Sequence, residues 1–165
     1  RVNLTTHYET TGREILETLP QVDAFVAGIG TGGTLTGIGR RLKERNKDCL
    51  IVGVTPALGE NIQGIRSLEE GYEPPLLDFS LLGSRFLVDS TASFAAVRRL
   101  FQSTGLMVGI SSGAVLHAGL RMAKRLQKGN IVLLFADNGW RYTSGLLGLE
   151  SHRIEADELE KKIWW

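Results

Sequence analysis

Residues 22–37, Val-Asp-Ala-Phe-Val-Ala-Gly-Ile-Gly-Thr-Gly-Gly-Thr-Leu-Thr-Gly, constrain the fold more than any other stretch of this chain. The apolar, β-branched run from Val22 to Ile29 has the character of a buried strand. It passes directly into glycines and threonines, which open a helix ending in Arg40-Arg41-Leu-Lys-Glu-Arg45. A strand, a Gly-rich turn and a helix N-terminus in succession make an anion site, because uncapped N–H groups converge there at the positive end of the helix dipole. Glycine lets the backbone approach the anion, and the hydroxyls of Thr31 and Thr34 add donors.

The spacing Gly28-x-Gly30-x-x-Gly33 also satisfies the dinucleotide fingerprint, a weak signal by itself. That reading requires an acidic residue at the tip of the next strand. The next candidate, Cys49-Leu-Ile-Val-Gly-Val54, ends in Thr55-Pro56 with no carboxylate. Interleaved glycines and threonines suit a terminal phosphate monoester better, with a dinucleotide and a plain tight turn as the alternatives.

Strand-like and helix-like segments alternate along the chain. The pattern predicts a helix near Thr11–Leu19, a strand at 22–29, a helix at 33–45 and a strand at 49–54. A long irregular stretch from 56 to 82 follows, too long for a routine connection and therefore a candidate functional loop. Next come a short strand at 85–88, a helix capped by Asp89 to about 103, a strand at 106–110, a helix at 112–127 and a strand at 130–136. Gly129 after Lys128 is a stop signal. Leu/Ile/Val-rich strands between helices predict an α/β fold, a three-layer α/β/α arrangement around a mostly parallel twisted sheet. The expected organisation is one domain over 1–150 and a tail over 151–165.

A formal charge of +1 gives no reason to expect nucleic acid or an anionic membrane as partner. One cysteine excludes an internal disulfide and fits a reducing, cytoplasmic setting. No apolar run reaches membrane-spanning length, and no secretory leader is visible. Arg1-Val-Asn-Leu starts without a methionine, so the expectation is part of a longer protein.

A second turn, Gly109-Ile-Ser-Ser-Gly-Ala114, also joins a predicted strand to a helix, so its hydroxyls fall on the same ligand edge of the sheet. A helix-capping serine is the alternative. Gly30-Thr-Gly-Gly-Thr-Leu-Thr-Gly37 together with this turn resembles the pyridoxal-phosphate enzymes of fold type II, and within them the cysteine synthases. His7-Tyr-Glu-Thr-Thr-Gly-Arg-Glu-Ile15, Asn61-Ile-Gln-Gly-Ile65 and Phe135-Ala-Asp-Asn-Gly-Trp-Arg-Tyr142 agree, in the family's order, over roughly residues 7 to 148.

The resemblance implies that Gly30, Thr31, Gly32, Gly33 and Thr34 hold the phosphate of pyridoxal 5'-phosphate and that Ser111 meets its pyridine nitrogen. A neutral hydroxyl there leaves the ring a weaker electron sink than a carboxylate would, which favours expulsion of a β-substituent over transamination. The implied activity is cysteine formation by β-replacement of an activated serine with a sulfide donor, usually in a homodimer. Gly64, Ile65 and Arg66 fall on the implied substrate side. Arginine after the Gly-Ile pair resembles the B-type branch, some of whose members take O-phosphoserine and draw sulfur from a thiocarboxylated carrier protein. A guanidinium suits a substrate phosphate; a solvated arginine, or one paired with Glu69 or Glu70, is the alternative. The terminal Trp164 and Trp165 resemble a tail that lies in the active-site cleft of that branch, the alternative being packing on its own domain or a dimer partner.

The family's Schiff-base lysine sits in a Ser/Thr-x-Lys motif that this sequence lacks, and Lys43, Lys47, Lys124, Lys128, Lys161 and Lys162 fall in charged helix ends or the tail. The Asn-containing loop that grips the substrate carboxylate is missing too. No catalytic residue is therefore assigned, and the expectation is an inactive chain that binds free cofactor weakly. Cystathionine β-synthases, serine/threonine dehydratases and a non-catalytic phosphate-ligand module are the other readings. Cys49 and His117 are expected to be structural, His7 and His152 lack metal-ligand spacing, and Asp137 is placed to orient a neighbouring loop or the substrate domain.

Overall fold

The computed structural model describes residues 2–142. The tail at 151–165, with its two tryptophans, lies outside the described residues. The elements are α1 (Val2–Glu9), α2 (Thr11–Thr18), β1 (Ala24–Gly28), α3 (Gly33–Arg45), β2 (Leu50–Pro56), β3 (Leu82–Val88), α4 (Ser90–Thr104), α5 (Ile110–Leu126) and β4 (Ile131–Leu133). Short 3-10 turns occupy Phe79–Leu81 and Gly139–Tyr142.

The four strands form one sheet in the order β3-β2-β1-β4, and every neighbouring pair is parallel. Alternation along the strands sorts the core onto two faces. Ala24 and Val26 of β1, Val52 and Val54 of β2 and Phe86 and Val88 of β3 join Ala114, Ala118 and Met122 of α5 in one cluster. Phe25 and Ala27 of β1 with Ile51 of β2 face Leu35, Ile38 and Leu42 of α3 in the other. Both clusters are made of buried apolar side chains, so the sheet is covered on each face, as its near-continuous apolar strands predict. The architecture is the predicted α/β fold with a parallel sheet between helical layers.

Several boundaries differ from the sequence reading. Residues 106–110 are not a strand: α4 ends at Gly105 in the left-handed region, φ 76°. Only a single antiparallel bridge, Val108 with Asn138, follows before Ile110 opens α5. Three apolar residues between two glycines are too few to extend the ladder, and Leu106 stays 56% exposed. β4 is shorter than predicted, although Leu134 N–H still donates to the Val26 carbonyl at 3.0 Å. β3 starts three residues earlier than its apolar core suggested. Helix α1 was not anticipated, because none of its residues is buried and no apolar stripe marks it.

The 56–82 loop is anchored rather than loose. Ile62 is fully buried and Ile65 6% exposed, both within the α5-side cluster. Cys49 is fully buried in the α3-side cluster, where burial pushes its thiol up to about 11. Among the described residues no helix is long and apolar enough to cross a membrane.

Candidate functional site

β1 delivers Gly28 to the carboxyl edge of the sheet, and α3 begins at Gly33. Gly32 stands at the helix N-cap with φ 87° and ψ −9° and offers no side chain to satisfy the first N–H groups. The N-cap of α5 is likewise a glycine, Gly109, with no side-chain cap. α4 shows the ordinary solution, since the Asp89 side chain accepts from Ala92 N–H at 2.6 Å. α2 also lacks a side-chain cap at Thr10, but only the glycine-started helices α3 and α5 turn their first residues toward one cavity.

That cavity has a volume of about 220 Å³. Gly30, Thr31, Gly32 and Thr34 line it from the first turn, Ser111 and Ser112 from the second, and Gly64 and Ile65 from the 56–82 loop. Its remaining walls include Leu35, Val115 and Leu134, and among the described residues no acidic one lines it. Gly33 and Arg66 lie outside the lining. Gly33 is covered by the Asn3 side-chain oxygen, which occupies the place a Cβ would take. Arg66 is exposed, and its backbone N–H donates to Ile29 at 2.9 Å. The suggested pairing of Arg66 with Glu69 or Glu70 is absent: Glu69 meets Arg85, and Glu70 accepts from Gly59 N–H at 3.3 Å.

Four further residues shape the site. His7 bridges two hydroxyls, with Nε2 3.0 Å from Thr34 Oγ1 and Nδ1 3.1 Å from Thr11 Oγ1. Its partner Thr34 is 27 positions away, so no local pattern reveals the contact. Ser112 is 1% exposed, and its hydroxyl has no hydrogen-bond partner among the described residues. A buried hydroxyl without a partner costs about 1–3 kcal/mol, so a polar group entering the cavity would relieve it. Leu77 lies over Gly32, where a Cβ would come within 2.5 Å of it. The covering segment is tied down by Leu76 N–H donating to Thr31 at 3.0 Å. Thr36 adds a hydroxyl that donates to the Leu76 carbonyl at 2.8 Å and accepts from Asp78 N–H at 2.9 Å.

These features fit a small anionic ring compound. Two dipole-positive helix starts favour a phosphate and a second polar end. Apolar walls suit an aromatic body, and a volume below the ~300 Å³ of the smaller typical ligand pockets suits a compact ligand better than a dinucleotide. Gly64, at φ 94°, brings its backbone up to Ser111, whose Oγ lies 3.3 Å from where a Cβ would stand. Asp137 sits against Gly109, its carboxylate filling the Cβ position there and fixing the start of α5.

Comparison with known proteins agrees with this geometry. The chain is 37% identical over 151 residues to a cysteine synthase of Aquifex aeolicus, an alignment covering 88% of this chain and 46% of that protein. It is 35% identical over 148 residues to cysteine synthases of Staphylococcus aureus strains Mu50 and N315, covering 84% of this chain and 48% of each. The chain therefore spans about half the length of these relatives. Residues 2–137 match the family described as pyridoxal-phosphate dependent enzyme, a span that takes in both helix starts and the whole described sheet, and the chain belongs to that family.

Proposed function

We propose that this chain is the cofactor-holding portion of a cysteine synthase, which makes cysteine by replacing the β-substituent of O-acetylserine or O-phosphoserine with sulfur from a sulfide donor. The observation that carries the proposal is the pair of uncapped helix starts on one compact cavity, with the unpartnered Ser112 hydroxyl between its walls. The names of the similar proteins support the reaction.

Gly30, Thr31, Gly32 and Thr34 would receive the phosphate through backbone N–H groups and hydroxyls. With the proton on Nε2, His7 donates to Thr34 Oγ1 and leaves that hydroxyl free to donate toward the phosphate, while Thr11 donates to Nδ1. Ser111 would meet the ring nitrogen as a neutral group. When bound, pyridoxal phosphate supplies an electron sink for bond breaking at the substrate α-carbon. Leu35, Val115 and Leu134 exclude water from the cavity, and Gly64 and Ile65 would face the substrate. The exposed Arg66 would select a phosphorylated serine through bidentate, permanently charged donors.

Among the described residues no lysine lines the cavity, so proton transfer at the α-carbon is not available from these walls. The same observation favours the second reading, a phosphate-ligand module without chemistry. Sequence ahead of Arg1 separates the two: a Ser/Thr-x-Lys motif there supports the enzyme.

Titration of the 165-residue chain with pyridoxal phosphate, followed by absorbance, tests the cradle. Binding should be saturable, compete with inorganic phosphate and exceed that of phosphate-free pyridoxal. Thr31→Ala/Thr34→Ala should weaken it by about tenfold or more, since a hydrogen bond to a charged group contributes about 1.5–3 kcal/mol. Equal binding of pyridoxal would overturn the phosphate assignment. Cysteine formation by this chain alone would overturn its inactivity.

A further inference from the structure

The helical layer built from α4 and α5 carries charge of one sign that the cofactor site leaves unused. Between Asp89 and Asp137 the sequence holds Arg98, Arg99, Arg121, Lys124, Arg125 and Lys128 and no acidic residue. The rest of the chain has five more acidic than basic residues. All six side chains are exposed. Among the described residues none of the six is in an ion pair, whereas on the other side of the sheet Arg13 pairs with Glu17, Arg40 with Asp78 and Arg41 with Glu44.

Arg121, Lys124 and Arg125 fall at i, i+3 and i+4, one face of α5, where like charges repel. Arg121 and Arg125 are nevertheless held side by side over the Phe86 ring, 5.7 and 5.0 Å from its centroid. A helix C-terminus favours cations in its last turn. That accounts for Lys124 and Arg125 but not for Arg98 and Arg99 in the middle of α4, nor for Arg121.

We infer that this basic layer is the docking face for the chain's own acidic segment, residues 155–160, Glu-Ala-Asp-Glu-Leu-Glu. The segment carries four carboxylates in six residues and no base, and it lies outside the described residues. Reach and direction suit it. Tyr142 is buried in the same cluster as Phe86 and Met122, so the chain leaves the described fold on the α5 side of the sheet. The residues from 143 to 154 can span up to about 40 Å when extended. Helix α5 is about 25 Å long at ~1.5 Å per residue. Lys124 lies about 20 Å along that helix from Ser111. The inference therefore places the acidic segment away from the cofactor cavity, and it does not rest on the proposed function.

Zero-length carbodiimide cross-linking of the 165-residue chain, read by peptide mass spectrometry, tests it. At low salt Lys124 or Lys128 should link to Glu155, Asp157, Glu158 or Glu160 within one chain. The yield should fall about tenfold at 1 M salt, where the screening length is ~3 Å. Glu155→Lys/Glu158→Lys should lower it similarly, and combining that pair with Lys124→Glu/Lys128→Glu should restore linkage between the exchanged positions. Absence of such links, links insensitive to salt, or links only between two chains would each overturn the intramolecular seat. The last result would assign the face to the tail of a second copy. A circular-dichroism melt of the Glu155→Lys/Glu158→Lys chain that matches the parent's excludes unfolding as the cause of lost links.

Discussion

Gly32→Ala separates backbone strain from contact at the phosphate turn. Gly32 has φ 87°, and a Cβ there would stand 2.5 Å from both Cβ and N of Leu77 and 2.6 Å from its Cα. The left-handed conformation alone should cost an alanine about 1–2 kcal/mol. Leu77 presents backbone, which cannot swing aside as a side-chain tip can. Moving it puts two hydrogen bonds at risk, Leu76 N–H to Thr31 at 3.0 Å and the Thr36 hydroxyl to Leu76 at 2.8 Å. Each contributes about 0.5–1.5 kcal/mol. The total is about 2–5 kcal/mol. Gly59→Ala is the control, since Gly59 has φ 75° with nothing within 4 Å of its Cβ position and should show only the ~1–2 kcal/mol of strain. Urea unfolding followed by circular dichroism gives both losses, and Gly32→Ala should exceed Gly59→Ala by about 1–3 kcal/mol. Equal losses would refute the claim that the 76–78 segment presses on the turn.

Four other outcomes are expected. Ser112→Ala should leave the ligand-free chain as stable or up to about 1 kcal/mol more so, because it removes an unpartnered buried hydroxyl, while weakening pyridoxal phosphate binding several-fold; thermal melts with and without the cofactor read both effects. His7→Ala should weaken cofactor binding by about tenfold, with partial recovery in His7→Gln, whose amide can still donate to Thr34, as fluorescence titration would show. Burial holds the Cys49 thiol at about 11 against an ordinary 9.0, so the stability its neutral form contributes is complete below pH 9 and is lost as pH rises toward 11; the chain should lose stability across that window more steeply than Cys49→Ala in denaturant titrations. In a complete enzyme, Arg66→Ala should lower kcat/KM for O-phosphoserine by about tenfold or more and leave O-acetylserine nearly unchanged, from a charged hydrogen bond worth about 1.5–3 kcal/mol.

What could be read from the sequence was what depends on neighbours in the chain. α3 occupies 33–45 as expected, because its glycine start, apolar stripe and basic last turn are all local signals. Each Gly/Ser/Thr turn is expected to join a strand to a helix at one sheet edge; no strand precedes the second, yet Thr31, Thr34 and Ser111 do line one cavity. Non-local packing escaped. α1 is held against α3 without burying a single residue completely, so no periodicity announced it. The His7–Thr34 contact, the missing partner of Ser112 and the cover over Gly32 are all facts about folded neighbours. The expected strand at 106–110 does not form, because three apolar residues between glycines are too few to join the ladder and only the Val108–Asn138 bridge remains.

The long connection between β2 and β3 is stitched to the phosphate turn twice, by Arg66 to Ile29 and by Leu76 to Thr31. Between those stitches, Glu69, Glu70, Gly71 and Glu73 are exposed, with Gly71 in the left-handed region. Insertions or deletions confined to 69–73 would leave both fastenings in place, whereas one extra residue at 64–66 or 76–78 would shift the turn itself. Length variation in homologous chains should therefore concentrate in that short window, which is also the natural place to graft a reporter peptide without disturbing ligand capture.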